Sequence, residues 1–198
     1  MKKVSCDSSG IKVAAKSIET GGIVVYPTDT VYGIGCDPYN SDAVNRIYEI
    51  KKRDKTKLFP ILGYSKQILE NIVEFNEMAN IIAKKFWPGQ LTIILPIKDK
   101  KLKEDVNNVQ TIGVRVPNNQ CVLSLLKECK LIIGTSANIS GKEAITDPNK
   151  FGGFNQDFDI FLDGGKIQSS GASTIIEIKN DELKIIRKGS ISEHELRN

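Results

Sequence analysis

Two cations, Lys51 and Arg53, stand two positions apart at the start of the basic run KKRDKTK, residues 51 to 57. On a continuing helix their side chains diverge by about 200°, whereas an extended segment sends i and i+2 to one side. A helix that ends near Lys51 therefore lets both face one phosphate-bearing ligand. A solvated helix end has the same composition. The stretch GTSANISG, residues 134 to 141, sets hydroxyls, an amide and unhindered glycine backbone directly after an apolar run. Such a loop suits a phosphate, with Ser136 and Asn138 as its polar side chains, and equally suits a turn or a helix cap. It is not a Walker A loop, because no GKS or GKT occurs. Arg115 lies between Val114 and Val116 with Pro117 behind. Its side chain should point opposite to the valines and hold an anion, either a substrate carboxylate gripped bidentately or an ordinary ion-pair partner. Arg187 allows the same two readings.

The residue types that are missing narrow the chemistry. The one histidine, His194, sits in a charged tail, and GxSxG, HExxH and GxGxxG patterns are absent. A Ser-His-Asp hydrolase is therefore not expected. A site without an obvious nucleophile suggests catalysis by positioning, and reactions at the α-phosphate of a nucleotide, with cations stabilising the leaving group, fit that description. Cys6, Cys36, Cys121 and Cys129 match neither a zinc ribbon nor a CxxC pair, so four free, structural thiols are expected.

Helices and strands interleave around these candidates. A helix over residues 11 to 20 precedes the buried strand IVVY at 23 to 26, and Pro27 throws Thr28, Asp29 and Thr30 into a turn at its carboxyl end, where open α/β sheets bind ligands. Ser41 should cap a helix that ends near Lys51. Strands are expected at 59 to 62, 91 to 95, 111 to 116, 131 to 134, 158 to 162, 173 to 178 and 183 to 187. Asn180-Asp181 should form the turn between the last two, and helices are expected at 65 to 71, 77 to 86 and 119 to 129. The pattern reads as α/β, a twisted open mixed sheet flanked by helices in a single domain.

The bulk numbers agree with one domain: 198 residues, 40% hydrophobic. A net charge of +4 is mild for a nucleic-acid-binding domain, and the second basic run, 98 to 103, reads as a solvated loop. No stretch has the 18 or more apolar residues of a membrane span, and the N-terminus lacks the apolar core of a secretory signal, so the expected location is cytoplasmic.

In order along the chain, YPTDTVYGIGCD at 26 to 37, KKR at 51 to 53, WPGQLTIIL at 87 to 95, GVRVP at 113 to 117, GTSANISG at 134 to 141, STIIEI at 173 to 178 and IIRKGSI at 185 to 191 resemble the YrdC family, the threonylcarbamoyl-AMP synthases. The resemblance implies a YrdC-like fold over residues 1 to 198, with motifs within 11 to 191 and no additional C-terminal domain. It also implies a deep basic cleft. The implied reaction joins L-threonine, bicarbonate and ATP into threonylcarbamoyl-AMP with release of pyrophosphate, for tRNA modification completed by a downstream threonylcarbamoyl transferase. Carried over, the KxR and SxN tetrad is Lys51, Arg53, Ser136 and Asn138, with Lys57 and Arg187 added on the ATP side. The threonine side comprises Thr30, Tyr32, Arg115, Thr135 and Ser173. Magnesium is expected with ATP, without a dedicated protein site. The sequence departs from the family pattern at Asp54, Leu62, Gln90 and Ala144. An RNA-binding module, touching tRNA or other double-stranded RNA through the basic runs, is the alternative from another class. Few aromatics lie among those basic residues to support stacking. A relative of the same fold with a different acceptor is a further alternative.

Overall fold

Periodicity and punctuation set most of the elements. The structure, a computed structural model, describes residues 1–106, 109–150, 157–168, 171–179 and 182–197. Strand β1 (Lys2–Ser5) leads into helix α1 (Ser8–Glu19), whose start is fixed by the Asp7 carboxylate accepting from the Gly10 amide. Strands β2 (Val24–Pro27) and β3 (Tyr32–Gly35) form an antiparallel pair around the Thr28-Asp29-Thr30 turn. Helix α2 (Ser41–Lys51) follows, and its cap is Asn40 rather than the expected Ser41: the Asn40 side chain accepts from the Ala43 amide. Next come β4 (Ile61–Gly63), α3 (Lys66–Leu69), α4 (Glu77–Phe86), β5 (Leu91–Pro96), α5 (Lys100–Asp105), β6 (Thr111–Arg115), α6 (Gln120–Cys129), β7 (Leu131–Ile133) and β8 (Thr135–Ser136). The described chain closes with β9 (Ile160–Asp163), β10 (Thr174–Lys179), β11 (Glu182–Arg187) and α7 (Glu193–Arg197). Asn180 and Asp181, expected as the turn between β10 and β11, lie outside the described residues. The basic run at 98 to 103 contributes to α5, with Leu102 buried.

The expected α/β class with mixed strands is present, and its strands divide between two sheets. One has the order β1-β9-β2-β3-β8, the other β11-β10-β5-β6-β4-β7. Their facing strands share the main core: Ile23, Val25 and Ile34 from the first pack with Ile61, Ile93, Val114 and Ile176 from the second. Helices α1 and α6 cover the opposite side of the first sheet, where Ile11, Ala14 and Ile18 meet Val122, Leu125 and Leu126. No helix of the described residues is long and apolar enough to cross a membrane.

That helical layer corrects the reading of the cysteines. Cys6, just before α1, and Cys121, in the first turn of α6, are joined by a disulfide across 115 residues of sequence. Only the packing of α1 on α6 brings the two sulfurs together, so spacing along the chain carries no sign of it. Cys36 and Cys129 are free. Burial pushes their thiols up, to about 12 and about 11, which keeps both protonated and unreactive at neutral pH.

Candidate active site

A cleft of about 590 Å³ lies between the two sheets. Strand alternation builds its floor: Thr92 and Ile94 of β5, Thr111, Gly113 and Arg115 of β6, and Ile175 and Glu177 of β10 point one way, while Ile93, Val114 and Ile176 point into the core. The β2–β3 turn and the loop after β7 form the opposite wall. Gly134 lets that loop pass close to the floor, since a Cβ there would lie 2.4 Å from Leu62 Cγ.

At one end Arg115 is almost completely buried, its side chain 7% exposed. Its Nε donates to the Gly89 carbonyl at 2.8 Å, its Nη2 to Asp29 Oδ1 at 2.7 Å, and its Nη1 to Thr30 Oγ1 at 3.4 Å. The guanidinium is thus held from three sides while still lining the cleft. Burial pulls its ionisation below the ordinary arginine value, and the Asp29 carboxylate opposes that shift, so the charge is kept. Asp29, given no role by the sequence beyond a turn, is the ion-pair partner; its Oδ2 is buried without a hydrogen-bond partner. Ser173 stands beside this end, and Arg187 positions it by donating to its carbonyl at 2.7 Å and to its hydroxyl at 2.9 Å.

The expected tetrad is brought together as two layers rather than four equivalent contacts. Helix α2 stops at Lys51 because Lys52 takes a left-handed conformation (φ 48°), which turns the chain so that Arg53 leaves the helix. Arg53 reaches the cleft: Nε donates to the Lys57 carbonyl at 2.9 Å, Nη2 to that of Leu58 at 3.2 Å, and its guanidinium stacks 5.1 Å from the Phe59 ring centre. Nη1 makes no hydrogen bond among the described residues. Lys51, by contrast, is 1% exposed and lies behind the cleft wall. Its ammonium donates to the carbonyls of Ser136 and Asn138 and to Asn138 Oδ1, so all three protons are spent on the loop. Burial, reinforced by the Arg53 charge, brings its ionisation down to about 8. Ser136 Oγ donates to Asn138 Oδ1 at 2.6 Å, and both residues line the cleft.

Other expected site residues separate. Thr30 and Thr135 line the cleft, whereas Tyr32 does not: it packs into the main core, its ring stacks on Phe161 and its hydroxyl donates to the Gly165 carbonyl at 2.7 Å. The Lys57 side chain is likewise outside the cleft lining and exposed. Of the departures from the family pattern, Leu62 and Ala144 line the cleft, and Gln90 donates to the Asp29 carbonyl at 2.8 Å. Lys142 and Glu177 also line it. Alternation from Ser173 along β10 was the available signal for Glu177.

Fold and cleft together define an α/β protein whose two mixed sheets enclose a cleft lined by Arg53, Arg115, Lys142 and Arg187. The Sua5/YciO/YrdC family model, described as telomere recombination, matches residues 16–189, and the chain belongs to that family. A putative threonylcarbamoyl-AMP synthase of Methanocaldococcus jannaschii is 37% identical over 179 residues, 89% of this chain and 84% of that protein. The threonylcarbamoyl-AMP synthase of Pyrococcus abyssi is 33% identical over 94% of this chain, which spans only 56% of that relative's length. The crystal structure of P. abyssi Sua5 complexed with L-threonine superposes with a TM-score of 0.91 at 31% identity, covering 99% of this chain and 59% of that one.

Proposed function

We propose that the protein is an L-threonylcarbamoyladenylate synthase, a nucleotidyltransferase that forms threonylcarbamoyl-AMP and pyrophosphate from L-threonine, bicarbonate and ATP. The observation that carries this reading is Arg115. A buried guanidinium locked by Asp29, Gly89 and Thr30, with Ser173 beside it, suits the α-carboxylate of an amino acid at one end of a cleft whose wall presents Arg53 and the Ser136-Asn138 loop. Relatives named threonylcarbamoyl-AMP synthase support the choice of threonine and ATP.

In the net reaction the threonine nitrogen bonds to the bicarbonate carbon with loss of water, and a carbamate oxygen bonds to the α-phosphorus as pyrophosphate departs. Arg53 faces the polyphosphate and stabilises the charge that grows on the leaving group, while Lys51 holds the loop carrying Ser136 and Asn138. Lys142 adds positive charge at the same wall. Magnesium would accompany ATP, held by phosphate oxygens and water. The product then serves tRNA modification through a separate threonylcarbamoyl transferase, work that belongs in the cytoplasm.

The test is pyrophosphate release from ATP with threonine and bicarbonate omitted in turn. Release should require both, and release indifferent to threonine would overturn the reading. Direct tRNA contact is separable: a filter-binding titration should show affinity that falls steeply with salt if tRNA is held at all.

A further inference from the structure

We infer that Gln90 is a positioning residue for the amino-acid end of the cleft: its side-chain amide fixes Asp29 against Arg115 and so aims the guanidinium that receives the substrate carboxylate. The inference rests on the amino-acid reading of that end and adds a residue that does not itself line the cleft. Gln90 is one of the positions at which the sequence departs from the family pattern, so the tie it makes is a property of this chain.

The contacts close a ring. Arg115 Nε donates to the Gly89 carbonyl at 2.8 Å and Nη2 to Asp29 Oδ1 at 2.7 Å. Gly89 lies just before β5 of the second sheet, whereas Asp29 lies in the β2–β3 turn of the first. Gln90, the residue after Gly89, joins the two acceptors by donating from Nε2 to the Asp29 carbonyl at 2.8 Å. Its own main chain is fixed to the floor: the Gly89 amide donates to the Val116 carbonyl at 2.9 Å, and the Gln90 carbonyl accepts from the Thr174 amide at 3.0 Å, next to Ser173. Asn119, at the cap of α6, reaches the same turn with a longer bond, 3.4 Å to the Thr28 carbonyl.

The rigidity of the guanidinium makes this tie matter. Gly89, Asp29 and Thr30 each take one N–H of the planar fork, which leaves one on each terminal nitrogen, the pair that grips a carboxylate bidentately. Because the fork is planar, a shift of one acceptor turns both remaining donors together. Asp29 is the acceptor with the greater freedom, since it sits on a turn and its Oδ2 is buried without a hydrogen-bond partner. Loss of the Gln90 bond therefore releases the Asp29 main chain, lets Arg115 swing and misaligns the carboxylate grip. Arg53 and the Ser136-Asn138 loop have their own anchors, at Lys57, Leu58 and Lys51, and keep their places.

Steady-state pyrophosphate release, with threonine and ATP varied in turn, tests this on the native protein, Gln90→Ala and Gln90→Met; methionine keeps the length of the side chain and removes the donor. Both variants should raise the threonine KM about three- to tenfold, the scale of one hydrogen bond between neutral groups, and leave the ATP KM and kcat within about twofold. An unchanged threonine KM would overturn the assignment. So would threonine and ATP KM rising together, or a Gln90→Met protein that fails to fold, since either result describes a residue that merely supports the fold. A native protein that releases pyrophosphate without regard to threonine would remove the synthase reading itself, before any variant is compared.

Discussion

Lys51 is the residue whose charge is least expected from its surroundings, since a 1%-exposed ammonium persists only because three loop oxygens accept its protons. Deprotonation leaves two N–H donors for three acceptors and turns a lone pair toward one of them. With ionisation lowered to about 8, turnover should fall as pH rises through that value, because the Ser136-Asn138 loop loses its anchor. Stability follows the opposite sign. Between about 8 and the ordinary lysine value the unfolded chain binds the extra proton, so this group's contribution to stability rises with pH across that window. Parallel pH profiles of turnover and of denaturant unfolding check the divergence. Arg53→Ala should reduce turnover at least about a hundredfold, as expected on losing one preorganised charge stabiliser. Arg115→Lys should raise the threonine KM with little change in the ATP KM, since a lysine cannot reproduce the fork that engages Gly89, Asp29 and Thr30 together; steady-state kinetics separate the two.

Among the elements, α2 does the positioning. Its Asn40 cap starts it and the left-handed Lys52 stops it, which puts Lys51 inside the wall and Arg53 outside. Asn40→Ala should cost about 1 kcal/mol of stability, read from the denaturant midpoint. The Cys6–Cys121 bridge ties α1 to α6 behind the first sheet, across 115 residues. Cys121→Ser should lower stability by about 2–4 kcal/mol through the freed unfolded chain, and thiol titration of the unfolded native protein should rise when a reductant is added. Strong periodicity made α4 legible to the residue, and β5 and β6 nearly so. Three strands escaped notice for local reasons: β1 is polar and exposed, β3 holds two glycines in YGIG, and β8 is two residues long. Each exists because a neighbour supplies its hydrogen bonds.

Over the whole molecule, the cleft exists because the β2–β3 turn of one sheet faces the β5, β6 and β10 surface of the other. Its cations come from the segment just after α2, from β6, from β11 and from the loop after β8. On the proposed function, in which magnesium would arrive with the nucleotide, chelation with EDTA should stop pyrophosphate release yet leave the thermal midpoint unchanged. A drop in the midpoint would point to a metal held by the protein.

Residue types and order along the chain determined the α/β class, most helices and strands, and Arg53, Arg115, Ser136 and Asn138 as site candidates, because periodicity, caps and turn residues act over a few positions. Tertiary structure alone decided that the strands form two sheets, that Cys6 meets Cys121, that Asp29 pairs with Arg115, and that Lys51 stands behind the cleft wall while Tyr32 faces away from it. Those outcomes depend on which distant segments share a face. That is set by the packing of sheets and helices against one another, and no local spacing encodes it.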